Sequence, residues 1–196
     1  KGVDTPFIPA EPEDDDKPEP VDEYVRIRYR GVVGRLMWLV GDRPDLAYAV
    51  KELARAVAEP QKRDEQAMKR ALKYISRTQS WCMWFVHKPE EKTGTIRVFV
   101  DASWASGRGR RSTSGGLITV AGFPMMWWSR TQPTIAQSSC EAELLAANTG
   151  ATEARFLQSL MEELGVTAKI IIETDSSSAE KVTRKRGVGR MRHLAI

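Results

Sequence analysis

Three acidic residues in the second half of the chain have the type and the setting to hold a cation or to share a proton. Asp101 follows the alternating apolar run 96–100 and Asp175 follows the apolar run 170–172, so each ends a predicted strand. A helix between those strands would make them parallel neighbours and bring both carboxylates to one sheet edge. Like charges so close are costly, which indicates either a shared proton or hard divalent metal ions. The alternative for Asp175, beside Ser176, is an ordinary turn former or cap.

Glu143 is the third candidate ligand, and its neighbour Glu141 is assigned a different task. Ser138 and Glu141 fit the S-x-x-E capping box, in which the glutamate folds back on the start of the helix. Glu143 lies about 200° further around the helix. Its neighbours one turn on are Ala146 and Ala147, small residues that let this face approach a sheet closely.

The elements that must position these acids follow an alternating strand and helix pattern. Strands are predicted at 95–101, 117–121, 125–129 and 169–175, with a Gly- and Arg-rich loop at 108–116 and a long helix from Ser138 to about Gly165. A short helix follows Ser176. The order β-β-β-α-β-α predicts an α/β fold, a mixed sheet with packed helices. Trp127 and Trp128 must point to opposite faces of their strand, so only one can be core.

The first half of the chain is predicted to be helical from Tyr29. One buried face is formed by Leu46, Val50, Leu53, Ala54 and Val57, and Pro60 ends that helix. A second helix is predicted over 64–77, with Met68, Ala71, Leu72 and Ile75 inside. Its outer face is basic, which is typical either of a clamp for a nucleic-acid backbone or of a solvated surface.

Charge is distributed unevenly along the chain. Residues 1–23 contain five prolines and nine acidic against two basic residues, a net charge of −7, and are predicted to be a disordered linker. The remaining residues hold 28 basic against 17 acidic side chains, a net charge of +11. Such a basic region favours a polyanionic partner such as nucleic acid, although a solvated charged face is the alternative.

Cysteine content and hydropathy bear on the cellular setting. Cys82 and Cys140 match neither a disulfide framework nor a zinc spacing, which favours a reducing compartment. No apolar run approaches a membrane span, and no secretory signal pattern is present. We expect a protein without a membrane partner, cytoplasmic or nuclear, and not secreted. The start at Lys1 suggests an excised piece of a longer chain.

Five ordered motifs resemble the ribonuclease H domain of copia-type retrotransposon polyproteins. They are VDASWA at 100–105, RSTSGG at 111–116, WSRTQ at 128–132, SSCEAEL at 138–144 and TDS at 174–176. Upstream, YRGVVGRL at 29–36 and RPDLAYAV at 43–50 resemble the end of the copia-type reverse transcriptase, its thumb or connection. The resemblance covers about residues 24–196, and it implies that the cytoplasmic setting would be a virus-like particle.

The resemblance implies a domain order, a fold and a reaction. Residues 24–92 would be thumb or connection helices. Residues 93–196 would be a ribonuclease H domain, a mixed sheet of five strands with packed helices. The resemblance leaves open whether this domain is truncated at its C-terminus. Asp101, Glu143 and Asp175 would be the catalytic ligands of two Mg²⁺ ions, with Mn²⁺ able to substitute. The reaction would be hydrolysis of the RNA strand of RNA–DNA hybrids.

The chain departs from the family pattern in two places. The closing motif normally ends with an aspartate, whereas this chain reads Arg192-His193-Leu194-Ala195, so a fourth carboxylate is absent. The second metal should then be held more weakly, with His193 as a partial substitute or as a packing or phosphate-contacting residue. A Tyr-x-Asp-Asp motif is also absent, so the polymerase site is expected in upstream palm and fingers, which would be partners of this region.

Substrate contacts are predicted on either side of the acidic residues. Arg108, Arg110, Arg111 and Ser112 follow Asp101, and Arg190, Arg192 and His193 follow Asp175. These residues would contact the phosphates of an RNA–DNA hybrid, with a solvated surface as the alternative. A rival function is a catalytically weak or silent module that holds the hybrid for the upstream polymerase, and Ala195 favours it.

Overall fold

A computed structural model of the chain describes residues 3–9, 19–86, 94–106 and 110–183. The chain divides into two units, Lys1–Trp84 and Phe85–Ile196. Unit 1 is helical, with α1 at Glu23–Leu39, a 3-10 turn at Pro44–Leu46, α2 at Ala47–Arg55 and α3 at Lys62–Arg77. Unit 2 contains β1 at Thr95–Ser103, β2 at Thr113–Val120, β3 at Phe123–Thr131, α4 at Ser139–Glu163, β4 at Lys169–Glu173 and α5 at Ser177–Thr183.

Two helices of unit 1, α1 and α3, begin at side-chain caps. Asp22 accepts a hydrogen bond from the backbone N–H of Val25 at 2.8 Å, so α1 starts six residues before the predicted Tyr29. Asp64 accepts from the backbone N–H of Gln61 at 2.9 Å and closes a capping box at the start of α3. The periodicity of apolar residues therefore locates these helices, while their first turns depend on polar caps.

The core of unit 1 is formed where the three helices meet. Its buried members include Tyr29, Val33, Leu36, Leu46, Val50, Leu53, Met68, Ala71 and Tyr74. The Tyr29 hydroxyl donates to the carbonyl of Leu53 at 2.8 Å, which satisfies a polar atom in the interior. The prediction that Leu72 is internal is wrong, since this side chain is exposed, and Tyr74 is buried instead. Tyr74 is anchored because its hydroxyl donates to Asp45.

Part of the predicted N-terminal linker packs on unit 1. Asp4 forms an ion pair with Arg77, and the Thr5 carbonyl accepts from Arg70 at 3.0 Å. The ring of Phe7 meets that of Tyr48 edge to face at 5.7 Å. Three side chains or backbone groups of residues 3–9 therefore have partners on the helices, while the disordered linker over residues 1–23 stays a prediction. Residues 10–18 lie outside the described residues.

The sheet of unit 2 has the mixed topology that the sequence predicts. Its strand order is β3-β2-β1-β4, with β1–β2 and β2–β3 antiparallel and β1–β4 parallel. The prediction of an α/β fold with a mixed sheet is confirmed. The described ranges hold four strands, so the fifth strand that the family resemblance implies is not shown.

Helix α4 packs against one face of this sheet. The core joins Ile96, Val98, Val100, Ile118 and Trp128 from the strands to Ala146, Ala154 and Leu157 from α4. Trp128 is buried and Trp127 is only partly so, which confirms that the two side chains take opposite faces. A Cβ atom at Gly150 would lie 2.6 Å from Val100 Cγ1, so the helix approaches β1 at a distance that only glycine permits.

Strand β2 begins four residues before the predicted start at Leu117. Gly115 and Gly116, assigned from sequence to a loop, instead pair with Asp101 and Val100 of β1. Glycine is a poor strand residue unless close packing requires it. Here a Cβ at Gly116 would lie 2.0 Å from Cζ2 of Trp128, so the glycine makes room for that ring.

Candidate metal centre

Asp101 and Asp175 are brought together by the parallel pairing of β1 and β4. The register pairs Phe99 with Glu173, and Asp101 and Asp175 each follow two residues later. Strand β1 continues through Asp101 to Ser103, which corrects the predicted strand end at Asp101. Both aspartates are exposed, so a ligand in solution can reach them. The prediction that their strands are parallel neighbours is confirmed.

Helix α4 supplies Glu143 from its first two turns. Ser138 is the N-cap, and its hydroxyl accepts from the backbone N–H of Glu141 at 3.2 Å. The Glu141 carboxylate accepts from the backbone N–H of Gln137 at 2.8 Å, one residue before the N-cap that a standard capping box would use. Glu141 therefore serves the helix end as predicted, with a shifted partner.

The three carboxylates converge at one point. Asp101, Glu143 and Asp175 each offer an oxygen, and these oxygens lie within 4.8 Å of one another. Glu143 is 8% exposed, and its Oε2 atom is buried without a hydrogen-bond partner among the described residues. Burial raises the pKa of Glu143, and the charges of Asp101 and Asp175 raise it further, against a hydrogen bond from the Ala102 backbone.

Such a cluster can hold a hard cation. One shared proton would neutralise one of three negative charges, whereas a divalent ion offsets two and gives the unpartnered Glu143 oxygen a ligand bond. Carboxylate-only donor sets suit Mg²⁺, Ca²⁺ or Mn²⁺ better than softer metals. The donor chemistry, the convergence and the orphaned buried oxygen therefore fit a divalent metal.

The predicted nucleic-acid contacts after Asp101 separate into two kinds. Arg110 and Arg111 are exposed, and Arg110 adopts a left-handed backbone conformation with φ of 57°. Ser112 is 0% exposed, and its hydroxyl accepts from the backbone N–H of Ala105 at 3.1 Å. Ser112 thus joins two segments on either side of residues 107–109 and is buried, and its contact with a phosphate stays a prediction.

Several predicted site residues cannot be placed. Arg108 lies outside the described residues, and the same holds for the predicted contacts near the C-terminus, namely Arg190, Arg192 and His193. Ala195, where the family pattern has an acid, also falls beyond them. The structure therefore locates the three carboxylates and two of the arginines.

Two residues of the family motifs, Trp104 and Gln132, were given no role from the sequence. The Trp104 indole N–H donates to the carbonyl of Ala136 at 3.0 Å while the side chain stays 44% exposed. Gln132 is buried and bonds to the first turn of α4. The available signals were an aromatic residue three positions after Asp101 and an amide side chain at the end of a strand.

Comparisons with known proteins agree with the family that the motifs indicate. The chain is 33% identical to a retrovirus-related Pol polyprotein from transposon RE1 of Arabidopsis thaliana over 86% of this chain and 12% of that protein. It is 33% identical to the Pol polyprotein from transposon TNT 1-94 of Nicotiana tabacum over 87% of this chain and 13% of that protein. A secreted RxLR effector protein 161 of Plasmopara viticola is 38% identical over 67% of this chain and 92% of that protein.

The chain belongs to the Pol polyproteins of copia-type retrotransposons, which the sequence motifs predicted. It spans about an eighth of the length of the Pol polyproteins it matches. No family model and no solved structure matches the chain. In the part of the chain that the structure describes, none of the helices is long and apolar enough to cross a membrane.

Proposed function

We propose that this region of the polyprotein is a ribonuclease H, which hydrolyses the RNA strand of RNA–DNA hybrids within a retrotransposon reverse transcriptase. The observation that carries the proposal is the convergence of Asp101, Glu143 and Asp175 within 4.8 Å at one edge of a mixed sheet. The strand order and the helix that delivers Glu143 support a ribonuclease H-like fold. The Pol polyprotein relatives support the reverse-transcriptase setting.

Each carboxylate has a distinct place in the proposed centre. Glu143 is the buried anchor, because α4 fixes its backbone and its free oxygen is directed away from solvent. Asp101 and Asp175 are the exposed members, at the edge that a phosphate can approach. Two bound Mg²⁺ ions, or Mn²⁺ in their place, would supply the positive charge that activates water and stabilises the phosphoryl transition state.

The substrate would be held by basic side chains next to this centre. Arg110 and Arg111 are exposed in the segment that follows β1, which ends at Ser103, two residues beyond Asp101. A guanidinium group can donate two parallel hydrogen bonds to the oxygens of one phosphate, so arginines suit the backbone of a hybrid. The buried hydroxyl of Ser112 joins this segment to Ala105. Recognition of RNA would rest on 2′-hydroxyl contacts in the shallow minor groove.

The missing fourth acid sets an expectation for metal dependence. Ala195 stands where the family pattern has an aspartate, so one of the two ions has fewer negative ligands. We expect the enzyme to require a higher Mg²⁺ concentration than a four-acid centre would. The palm and fingers of the parent polyprotein, upstream of this region, would carry the polymerase reaction.

A gel assay tests the proposal. A hybrid with a labelled RNA strand is incubated with the protein and Mg²⁺ or Mn²⁺, with EDTA and a DNA duplex of the same sequence as controls. We expect cleavage of the RNA strand that needs the metal and spares the DNA duplex. Metal-independent cleavage, or no cleavage at any concentration of either metal, would contradict it.

A second candidate function, holding the hybrid without cutting it, is favoured by a surface of unit 1. The exposed face of α1 carries Tyr24, Ile27, Gly31, Gly34 and Trp38 at alternating spacings of three and four residues. Trp38 is 86% exposed, and a Cβ at either glycine would meet nothing within 4 Å. Arg28 and Arg35 lie on the same exposed side of the helix. A duplex could lie against such a face, and binding without cleavage in the gel assay would support this function.

A further inference from the structure

We infer that Gln132 is a positioning residue, which holds Glu143 at the metal centre through the backbone of α4. The inference rests on the proposed function, since it assigns a task within that same site. Gln132 lies just beyond the end of β3, ten residues before Ala142, and its side chain is 3% exposed. It does not touch the three carboxylates in any contact that the structure describes.

The amide group of Gln132 joins α4 to the sheet. Its Nε2 atom donates to the carbonyl of Ala142 at 2.8 Å and to the hydroxyl of Ser114 at 2.9 Å. Its backbone N–H donates to the carbonyl of Ser112 at 2.8 Å. One buried side chain therefore uses both of its N–H groups to connect the first turn of α4 with β2.

The two acceptors are next to the residues that carry the chemistry. Ala142 directly precedes Glu143 on α4. Ser114 pairs with Ala102 in the sheet, and the next pair along the same ladder is Gly115 with Asp101. The amide of Gln132 thus connects the helix turn that carries Glu143 with the part of β2 that pairs next to Asp101.

Repulsion among the three carboxylates explains why the start of α4 needs the hydrogen bonds of Gln132. Three carboxylates within 4.8 Å repel one another before a cation binds, and the repulsion acts to push the start of α4 away from the sheet. The Glu143 carboxylate is opposed by the charges of Asp101 and Asp175, and Ala102 is the backbone group that hydrogen-bonds to it. A buried hydrogen bond that fixes the adjacent backbone keeps the ligand in place for the metal.

A matched pair of variants tests the inference. Gln132→Met keeps the length of the side chain and removes both donors. Gln158→Met is the control, because Gln158 Nε2 also donates to a backbone carbonyl, that of Ala168 at 2.7 Å, from the opposite end of α4. Ser114→Ala removes one of the two acceptors of Gln132 and should show the same effects as Gln132→Met at smaller size.

Three measurements are made on the full chain. Hydrogen exchange followed by mass spectrometry reports the amides of residues 139–146 without metal, Mn²⁺ titration by electron paramagnetic resonance gives the metal affinity, and single-turnover cleavage gives the rate. For Gln132→Met we expect faster exchange in this segment, Mn²⁺ affinity lower by roughly 10- to 100-fold, and a lower rate at saturating hybrid. For Gln158→Met we expect a lower melting temperature with all three readouts near the parent's.

The results separate this inference from the proposed function. If the parent binds Mn²⁺ but cuts no hybrid, the ribonuclease proposal fails, while faster exchange and weaker Mn²⁺ binding in Gln132→Met still support positioning. If Gln132→Met lowers the melting temperature but keeps the parent's exchange in residues 139–146 or its Mn²⁺ affinity, Gln132 is an ordinary structural residue and the inference is overturned. Equal changes in Gln132→Met and Gln158→Met would overturn it too.

Discussion

The two glutamates at the start of α4 have different partners and different tasks. The Glu141 carboxylate accepts a hydrogen bond from the backbone N–H of Gln137, and the Ser138 hydroxyl accepts from the backbone N–H of Glu141, so both side chains stabilise the start of the helix. The small residues one turn beyond Glu143 predict that its face of the helix approaches a sheet, and Glu143 is buried. The burial of the Ser112 hydroxyl could not be predicted in this way, because it depends on residues from distant segments.

The raised pKa of Glu143 predicts a pH effect on the metal-free protein. A carboxyl group with a higher pKa in the folded state holds its proton more tightly when folded, so stability falls as pH rises from its ordinary value of 4.5 through the raised one. Above that window the parent carries a buried, repelled charge that Glu143→Gln lacks. In EDTA we expect the variant to gain stability relative to the parent as pH rises, measured by urea unfolding at several pH values.

Added metal should reverse that order. A ligand that binds the native state stabilises it in proportion to its affinity, and Glu143→Gln weakens the site. With saturating Mg²⁺ near neutral pH the parent should therefore be stabilised more than the variant. If the parent and Glu143→Gln show the same dependence of stability on pH in EDTA, the pKa of Glu143 is not raised in the folded protein.

At the scale of elements, the sequence located the strands and helices better than it located their ends. Strands β1 and β4 and helix α4 were predicted nearly as they are, because alternation and helical periodicity are strong over these segments. Strand β2 was predicted too short, since Gly115 and Gly116 read as loop residues. Gly116 makes room for the Trp128 ring, a contact across strands that no local pattern contains.

The close approach of α4 to β1 depends on the absence of a side chain at Gly150. An alanine there would place Cβ 2.6 Å from Val100 Cγ1 and 2.9 Å from Val98 Cγ1, inside any normal contact. Overpacking of this kind costs about 1–3 kcal/mol, which exceeds the gain of roughly 1 kcal/mol in helix propensity. We expect Gly150→Ala to lower stability and to reduce Mg²⁺ binding, because the helix that carries Glu143 moves outward.

The matched control for that substitution is Gly34→Ala in α1. A Cβ at this exposed helix position meets nothing within 4 Å, so only the propensity gain applies. Stability should rise by up to about 1 kcal/mol. Calorimetric unfolding of both variants checks the two signs, and a Gly150→Ala protein as stable as the parent would show that α4 is free to shift.

At the scale of the whole molecule, composition gives the net charge of a segment but not the contacts that its side chains make. The net charge of −7 at residues 1–23 led to the expectation of a disordered linker. Composition omits the partners of a segment, and Arg70 and Arg77 of α3 are such partners for Thr5 and Asp4. The assignment of residues 24–92 to a thumb or connection stays a prediction.

The basic remainder predicts a salt-dependent affinity for hybrids. Neutralised phosphates release counterions, so the logarithm of the affinity should fall linearly with the logarithm of the salt concentration. Replacing Arg108, Arg110 and Arg111 together should reduce that slope by up to about three phosphate equivalents. Fluorescence anisotropy at several salt concentrations measures it. An unchanged slope would place this loop away from the substrate.

The proposed metal centre of Asp101, Glu143 and Asp175 is tested by comparing the cleavage rates of three proteins. Single-turnover cleavage of an RNA–DNA hybrid is measured in Mg²⁺ for the parent, Glu143→Gln and Glu141→Gln. We expect Glu143→Gln to lose orders of magnitude in rate with its fold intact, because the charge that offsets the ions is gone. Glu141→Gln should keep the parent's rate at a stability cost of a few tenths of a kcal/mol, since glutamine can still accept the hydrogen bond from Gln137. Robust cleavage by Glu143→Gln would contradict the account.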